Sequence, residues 1–184
     1  MLLFVGLGNP TPDSKNNRHN IGFKIIDAIN QKFSLSKQKP KFKGLLTTGN
    51  INKKKVYAIK PLTFMNNSGI CIRELIEYFK IDSENIIVFH DDLDIDFGKI
   101  KAKFGGSSAG HNGIESIDKF IGKDYSRIRI GIGKPKSDIT DHVLKDFDEE
   151  EIKDLKKITS NITESLSILL DKKLDLFSST INNK

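Results

Sequence analysis

Seven polar side chains share one kind of position: Asn9, His19, Asn20, Asn66, Asn67, Asp91 and Asn112 each fall in or beside a loop at the end of an expected strand or helix. Taken singly, a surface asparagine is ordinarily a turn or cap residue. Together the set supplies the parts for hydrolysis without a covalent nucleophile: a histidine base, a carboxylate to orient it, and neutral amide donors for a carbonyl. A neutral donor suits that last task because it stabilises charge developing on an ester oxygen without needing a proton of its own.

Other motifs point to different chemistry and can be weighed by their spacing. GLGNP at 6–10 resembles the start of a dinucleotide loop, but Thr11 stands where the third glycine of G-x-G-x-x-G belongs. GGSSAGHN at 105–112 has P-loop glycine spacing, yet His111 and Asn112 replace the required Lys and Ser/Thr. Asp92, Asp94 and Asp96 are spaced as in a calcium loop, but the glycine comes one position late at Gly98 and Lys103 takes the place of the bidentate Glu. An acidic loop capping neighbouring groups explains the run better than a cation held with His90. Gly106–Gly110 matches the G-x-S-x-G nucleophile elbow around Ser108, with Asp141 and His142 downstream. Adjacent residues are poorly placed to form a triad with each other, and the chain is short for that fold.

The elements that must position these groups alternate in type. LLFVGL at 2–7 reads as a strand, followed by a helix through Ile25, Ile26, Ile29 and Phe33. Residues 34–43 are polar and lysine-rich. Residues 45–60 read as two strands joined by a turn near 50–54 and closed by Pro61. A helix over about 67–80 follows from Ile72, Leu75, Ile76 and Phe79, with Asn66 or Asn67 as its cap. IIVFH at 86–90 has the continuous apolar character of a central strand, and it ends in acidic residues where α/β sheets carry catalytic loops. Residues 99–104 form a further strand, and Ile114, Ile117 and Ile121 mark a short helix. RIRIGIG at 127–133 alternates as a half-buried strand does. Asp148 with Glu151 makes a capping box opening a long helix through Ile152, Leu155, Ile162, Leu166 and Leu169.

Composition sets the limits. With 184 residues, 37% hydrophobic and 29% charged, the chain has the make-up of one globular domain over 1–184, not of a disordered or disulfide-dense protein. Cys71 is the only cysteine, which forbids an internal disulfide and reads as a buried thiol. No basic leader or membrane span is expected, and the expected location is the cytoplasm. The net charge of +6 is uneven: residues 1–60 hold 12 Lys or Arg against 2 Asp or Glu, which leaves the remainder at −4. Such asymmetry attracts a polyanion such as RNA, or simply makes a lysine-rich surface. A noncatalytic RNA-binding module lacks support, because the aromatic residues show no stacking-motif arrangement.

GLGNP (6–10), RHNIGF (18–23), KPLTFMNNSG (60–69), HDDLD (90–94), GHNG (110–113) and RIRIGIGKP (127–135) together resemble bacterial peptidyl-tRNA hydrolase, in the right order and across nearly the whole chain. The resemblance implies an α/β fold, a single domain with a twisted mixed β-sheet flanked by α-helices. It also implies hydrolysis of the ester between a peptide and the 3′ ribose of tRNA, with no cofactor and no metal. Carried over residue by residue, His19 resembles the catalytic base and Asp91 its partner, with Asn9 ordering the site. Asn66, Asn112, Met65 and Asn20 resemble substrate-binding residues, and Lys103 and Arg129 a clamp on a tRNA phosphate. The implied partner is the acceptor end and peptide of peptidyl-tRNA; a monomer, with no obligate protein partner and no membrane, is expected. The family commonly has Gly, Tyr and Thr where this chain has Thr11, Ser14 and Asn17.

Overall fold

The computed structural model describes residues 1–184. Its strands are β1 (Leu2–Gly6), β2 (Lys39–Lys41), β3 (Gly44–Ile51), β4 (Lys54–Pro61), β5 (Ile86–Asp92), β6 (Ile100–Phe104) and β7 (Ser126–Gly131). They form one mixed sheet in the order β2-β3-β4-β1-β5-β7-β6. β4, β1, β5 and β7 run parallel, while β2 and β3 at one side and β6 at the other are antiparallel to their neighbours. The helices are α1 (Ile21–Lys32), α2 (Ser68–Phe79), α3 (Asn112–Ile121), α4 (Ile139–Leu144), α5 (Glu149–Glu164), α6 (Leu166–Leu170) and α7 (Leu174–Asn182).

Two cores lie on the two faces, and strand alternation assigns residues to each. Leu2 and Phe4, Val56 and Ala58, Ile87 and Phe89 join Ile128 and Ile130 under α1, α5, α6 and α7. Leu3 and Val5, Tyr57 and Ile59, Ile86 and Val88 pack against α2 and α3. On that second face β7 presents Arg127 and Arg129 in place of apolar residues. The alternation of RIRIGIG therefore does not mark a half-buried strand: β7 lies between β5 and β6, and Arg127 is only 3% exposed.

Because four neighbouring strands run parallel, their C-terminal ends line one edge, where α/β sheets hold ligands. The loop after β1 brings Asn9 there, the loop after β4 brings Met65 and Asn66, the end of β5 brings Asp91, and the loop after β7 brings Lys134. Gly22 sets the approach of α1. A Cβ at this position would collide with the backbone of Leu7 and Phe89, so the helix start sits directly on the ends of β1 and β5.

The hairpin between β3 and β4 turns on Asn52 and Lys53, both at positive φ (49° and 65°), as the twist-matched two-residue turn requires. The capping box of α5 forms as its sequence indicates, through Asp148 and Glu151. Elsewhere the structure adds elements that the sequence reading leaves unassigned, or departs from it. The polar stretch 34–43 contains the edge strand β2, and α4 is a helix that apolar periodicity does not announce. The long C-terminal helix breaks at Ser165, and α7 follows after another turn. Asn67 occupies the N-cap position of α2 but makes no side-chain cap bond; a 3-10 turn over Met65–Asn67 leads into the helix instead.

Candidate active site

At the C-terminal edge a cleft of about 790 Å³ is lined by Asn9, His19, Met65, Asp91 and His111, among others. His19 sits in a 3-10 turn, Arg18–Asn20, immediately before α1. Its Nδ1 lies 2.8 Å from Asp91 Oδ2 and 3.0 Å from Oδ1, so the two residues meet from 72 positions apart. The Asp91 carboxylate receives a second imidazole, since His111 Nε2 is 2.8 Å from Oδ1.

The tautomer of His111 follows from its other nitrogen. Nδ1 accepts the backbone N–H groups of Gly113 and Ile114, at 3.1 and 3.3 Å, and thereby caps α3. The ring proton must then reside on Nε2 and point at Asp91. With both carboxylate oxygens accepting, His19 donates from Nδ1 and keeps Nε2 as its basic nitrogen. Burial alone would push the Asp91 carboxyl up, but the charges and hydrogen bonds of His111 and His19 outweigh it and hold the group far below the usual carboxylate range.

His90 completes the cluster from behind. Its ring packs 4.9 Å from that of His111, and its Nδ1–H donates to the Asp91 carbonyl at 2.8 Å. Burial, followed by the influence of His111, lowers its pKa to about 3, while its buried Nε2 has no partner. The atoms of His19, Asp91 and His111 lie within 4.8 Å of one another, close enough to suggest metal ligands. A cation would need the Nε2 lone pair of His111, which is free only if the two cap bonds to Nδ1 break. The donor set fits a hydrogen-bonded trio and does not fit a metal.

Asparagines fix the loop beside this trio. Asn20 Oδ1 accepts from Asn9 N, and Asn20 Nδ2 donates to Asn9 O, both at 2.9 Å. This brace ties the loop after β1 to the turn carrying His19. Asn20 is 2% exposed and its amide is committed to this brace, so in the structure it positions Asn9. Asn9 Oδ1 accepts from Met65 N at 2.9 Å, which leaves its Nδ2 as an unspent donor in the cleft. Asn66 and Asn112 are exposed in the same cleft, and Met65 forms part of its wall. Preceding Met65, Phe64 has φ 63° and ψ 159°, a strained conformation for a non-glycine residue, and its half-exposed ring lines the cleft mouth.

The opposite wall is α4, through Ile139, Val143 and Leu144. Arg18 holds that helix by donating to the carbonyls of His142 and Lys145, at 3.3 and 3.4 Å, and it pairs with Glu151 at 2.8 Å. His142 Nε2 donates to Ile132 O at 3.1 Å, while Ser108 Oγ bonds Glu115 at 3.3 Å. The elbow-like motif thus has no histidine on its serine. In the acidic loop, Asp92 accepts from Asp94 N and from Arg129 Nε, the structural role expected of it. The Thr11 and Ser14 hydroxyls bond each other at 2.7 Å beside the cleft, and Asn17 is buried in a bridge to Asp146.

Lys103 and Arg129 lie outside the cleft lining, on the sheet face that continues from it. The register places Lys101 opposite Arg129 and Lys103 opposite Arg127, so all four cations point to one side. Lys103 is exposed, and Arg129 is tied through Nε to Asp92 at 2.8 Å, with its two terminal nitrogens unspent. Sequence reasoning missed Arg127, which donates to the carbonyls of Ser107 and Gly105 and so anchors the glycine-rich loop ahead of His111. It missed His111 as well; a histidine just before a helix start, in a loop facing the acidic end of β5, was the available signal.

Residues 3–184 match the family model described as peptidyl-tRNA hydrolase. The chain is 82% identical to the peptidyl-tRNA hydrolase of Pelagibacter ubique (strain HTCC1062), with all of both chains covered. It is 45% identical to that of Bartonella henselae, over 99% of this chain and 95% of the relative. A crystal structure of peptidyl-tRNA hydrolase from Acinetobacter baumannii superposes with a TM-score of 0.92 at 34% identity, covering 99% of this chain and 94% of that one. By the family model matched over nearly its whole length, by its identity to these relatives and by the superposition of its fold, the chain belongs to the peptidyl-tRNA hydrolase family.

Proposed function

We propose that the protein hydrolyses the ester between a peptide, or an N-blocked amino acid, and the 3′ ribose of tRNA, with His19 as general base and no covalent intermediate. The single observation that carries the mechanism is the 2.8 Å contact of His19 Nδ1 with Asp91 inside the cleft. It leaves Nε2 to take a proton from water as that water attacks the ester carbonyl. Asp91 then stabilises the imidazolium, which returns its proton to the departing ribose oxygen. The amides of Asn9, Asn66 and Asn112 supply neutral donors for the carbonyl oxygens of the peptide and the tetrahedral intermediate. Phe64 and Met65, facing the apolar side of α4, give the peptide a cleft with both apolar and polar walls.

Lys103 and the free end of the Arg129 guanidinium hold a terminal phosphate of the tRNA, so binding weakens as salt rises. No cofactor enters the scheme. The protein acts as a monomer in the cytoplasm and recycles tRNA from prematurely released peptidyl-tRNA. No helix is long and apolar enough to cross a membrane. The test is release of the acyl group from a defined N-blocked aminoacyl-tRNA, compared with its unblocked counterpart and run with chelator present. Cleavage of the blocked substrate alone is expected; equal rates on both would mean a general esterase, and loss of activity with chelator would contradict the metal-independent scheme.

A further inference from the structure

The sheet ends at β6, and its outer edge faces the turn between α6 and α7. A groove of about 540 Å³ runs there, between Lys103 and Phe104 on the strand and Lys172, Lys173 and Leu176 on the other side. Its three lysines are exposed and none takes part in an ion pair, in contrast to Lys43, Lys54, Lys60 and Lys184. The neighbouring carboxylate of Asp171 is already paired with Lys54 at 2.8 Å, which leaves Asp175 as the one acid in the groove lining. Lys172 has φ 57°, in the left-handed region.

The form of the edge argues for the class of partner. A protein strand adding to β6 would need its outward backbone groups, and α7 has taken them. Asn182 bonds both the N–H and the carbonyl of Ile100, at 3.0 and 2.8 Å, and Ser178 Oγ accepts from Ala102 N at 2.7 Å. What remains accessible is cationic side chain beside a small apolar ledge, with Phe104 49% and Leu176 50% exposed. That is a surface for a phosphate backbone, and it borders Lys103, whose ammonium lies over the β6 edge beside Arg127 and which the proposed function already gives to tRNA.

We infer that the β6–α7 groove is a second binding surface for the sugar-phosphate backbone of the tRNA, with Lys172 and Lys173 holding acceptor-stem phosphates beyond the one at Lys103 and Arg129. The inference rests on the assignment of Lys103 to tRNA, and the test separates the two. The variants are Lys172→Ser/Lys173→Ser together and Lys103→Ser alone. Each is assayed on full-length N-blocked aminoacyl-tRNA between 50 and 200 mM salt, roughly the range over which phosphate binding dominates affinity, and on a minimal N-blocked aminoacyl ester of adenosine.

The double variant is expected to raise KM for the tRNA substrate about fivefold to tenfold at low salt. The slope of log(kcat/KM) against log salt should become shallower by about 0.7 to 0.9 for each phosphate that is no longer neutralised. The minimal ester should turn over as in the parent. An unchanged slope in the double variant, with Lys103→Ser still weakening tRNA, overturns the groove and leaves the clamp standing. If Lys103→Ser is also silent, both assignments fall. Equal losses on tRNA and minimal ester, or an altered oligomeric state by light scattering without a change in tRNA KM, likewise overturn the inference.

Discussion

Replacing Asp91 by asparagine removes one acceptor from a site that needs two. In the parent protein the carboxylate receives His19 Nδ1–H on Oδ2 and His111 Nε2–H on Oδ1, each at 2.8 Å. Asparagine offers a single oxygen and an NH2 group, so one imidazole must face a donor. His111 cannot adapt, because its Nδ1 is held by the N–H groups of Gly113 and Ile114. His19 has no second tether, and its proton moves to Nε2, the nitrogen that should receive the proton of water. General-base assistance contributes typically 10²- to 10⁴-fold, about 3 to 5 kcal/mol of barrier. Asp91→Asn should therefore lower kcat on N-blocked aminoacyl-tRNA by that factor and leave KM within about twofold. The double variant sharpens the expectation. With His111→Ala added, the asparagine oxygen is free to turn to His19, and the pair should outrun Asp91→Asn by about tenfold, a barrier about 1.4 kcal/mol lower. A double variant slower than Asp91→Asn, or a single variant whose kcat stays within about threefold of the parent, refutes the tautomer assignment.

Two further outcomes follow from buried groups around the site. The folded-state pKa of His90, about 3, lies below its ordinary 6.5, so the unfolded chain binds a proton that the folded chain refuses. Its contribution to stability is complete above pH 6.5 and is lost as pH falls towards 3, at about 1.4 kcal/mol per pH unit. Urea unfolding at pH 7, 6, 5 and 4 should show a shallower decline for His90→Gln than for the parent, and parallel curves would argue against that burial. Arg127→Met removes both carbonyl anchors of the glycine-rich loop; amide exchange should accelerate at 105–110 and stay slow in β1 and β5, whereas unchanged protection of the loop would show that Arg127 does not hold it.

Most of the framework is legible because periodicity records which faces are covered. β1, the β3–β4 hairpin, α2, β5 and α3 can all be read from apolar spacing, and Asp148 and Glu151 mark the start of α5 directly. What fails does so for local reasons. β2 is a three-residue edge strand, Lys-Pro-Lys, without an apolar residue to mark it. α4 has no buried residue: Ile139 and Leu144 face the cleft and only Val143 also touches the core. The break at Ser165 falls within an unbroken apolar repeat. In β7 the alternation is real but its meaning is not visible, since Arg127 is buried on loop carbonyls and the partly buried Arg129 is tied to Asp92 through Nε alone. For the site, the pairing of His19 with Asp91 follows from resemblance and is seen in the geometry. Asn20 looks like a substrate residue from its neighbours in the motif, and only its two bonds to Asn9 reveal a brace. The second imidazole on Asp91 depends on the fold of the 105–111 loop, which composition does not encode.

The most direct measurement is single-turnover cleavage of N-blocked aminoacyl-tRNA by His19→Ala, together with its affinity for the same tRNA. A rate reduced by at least about a hundredfold, with affinity within a few-fold of the parent, is the expected pair of results. Near-normal cleavage by this variant would contradict the assignment of His19 as the base.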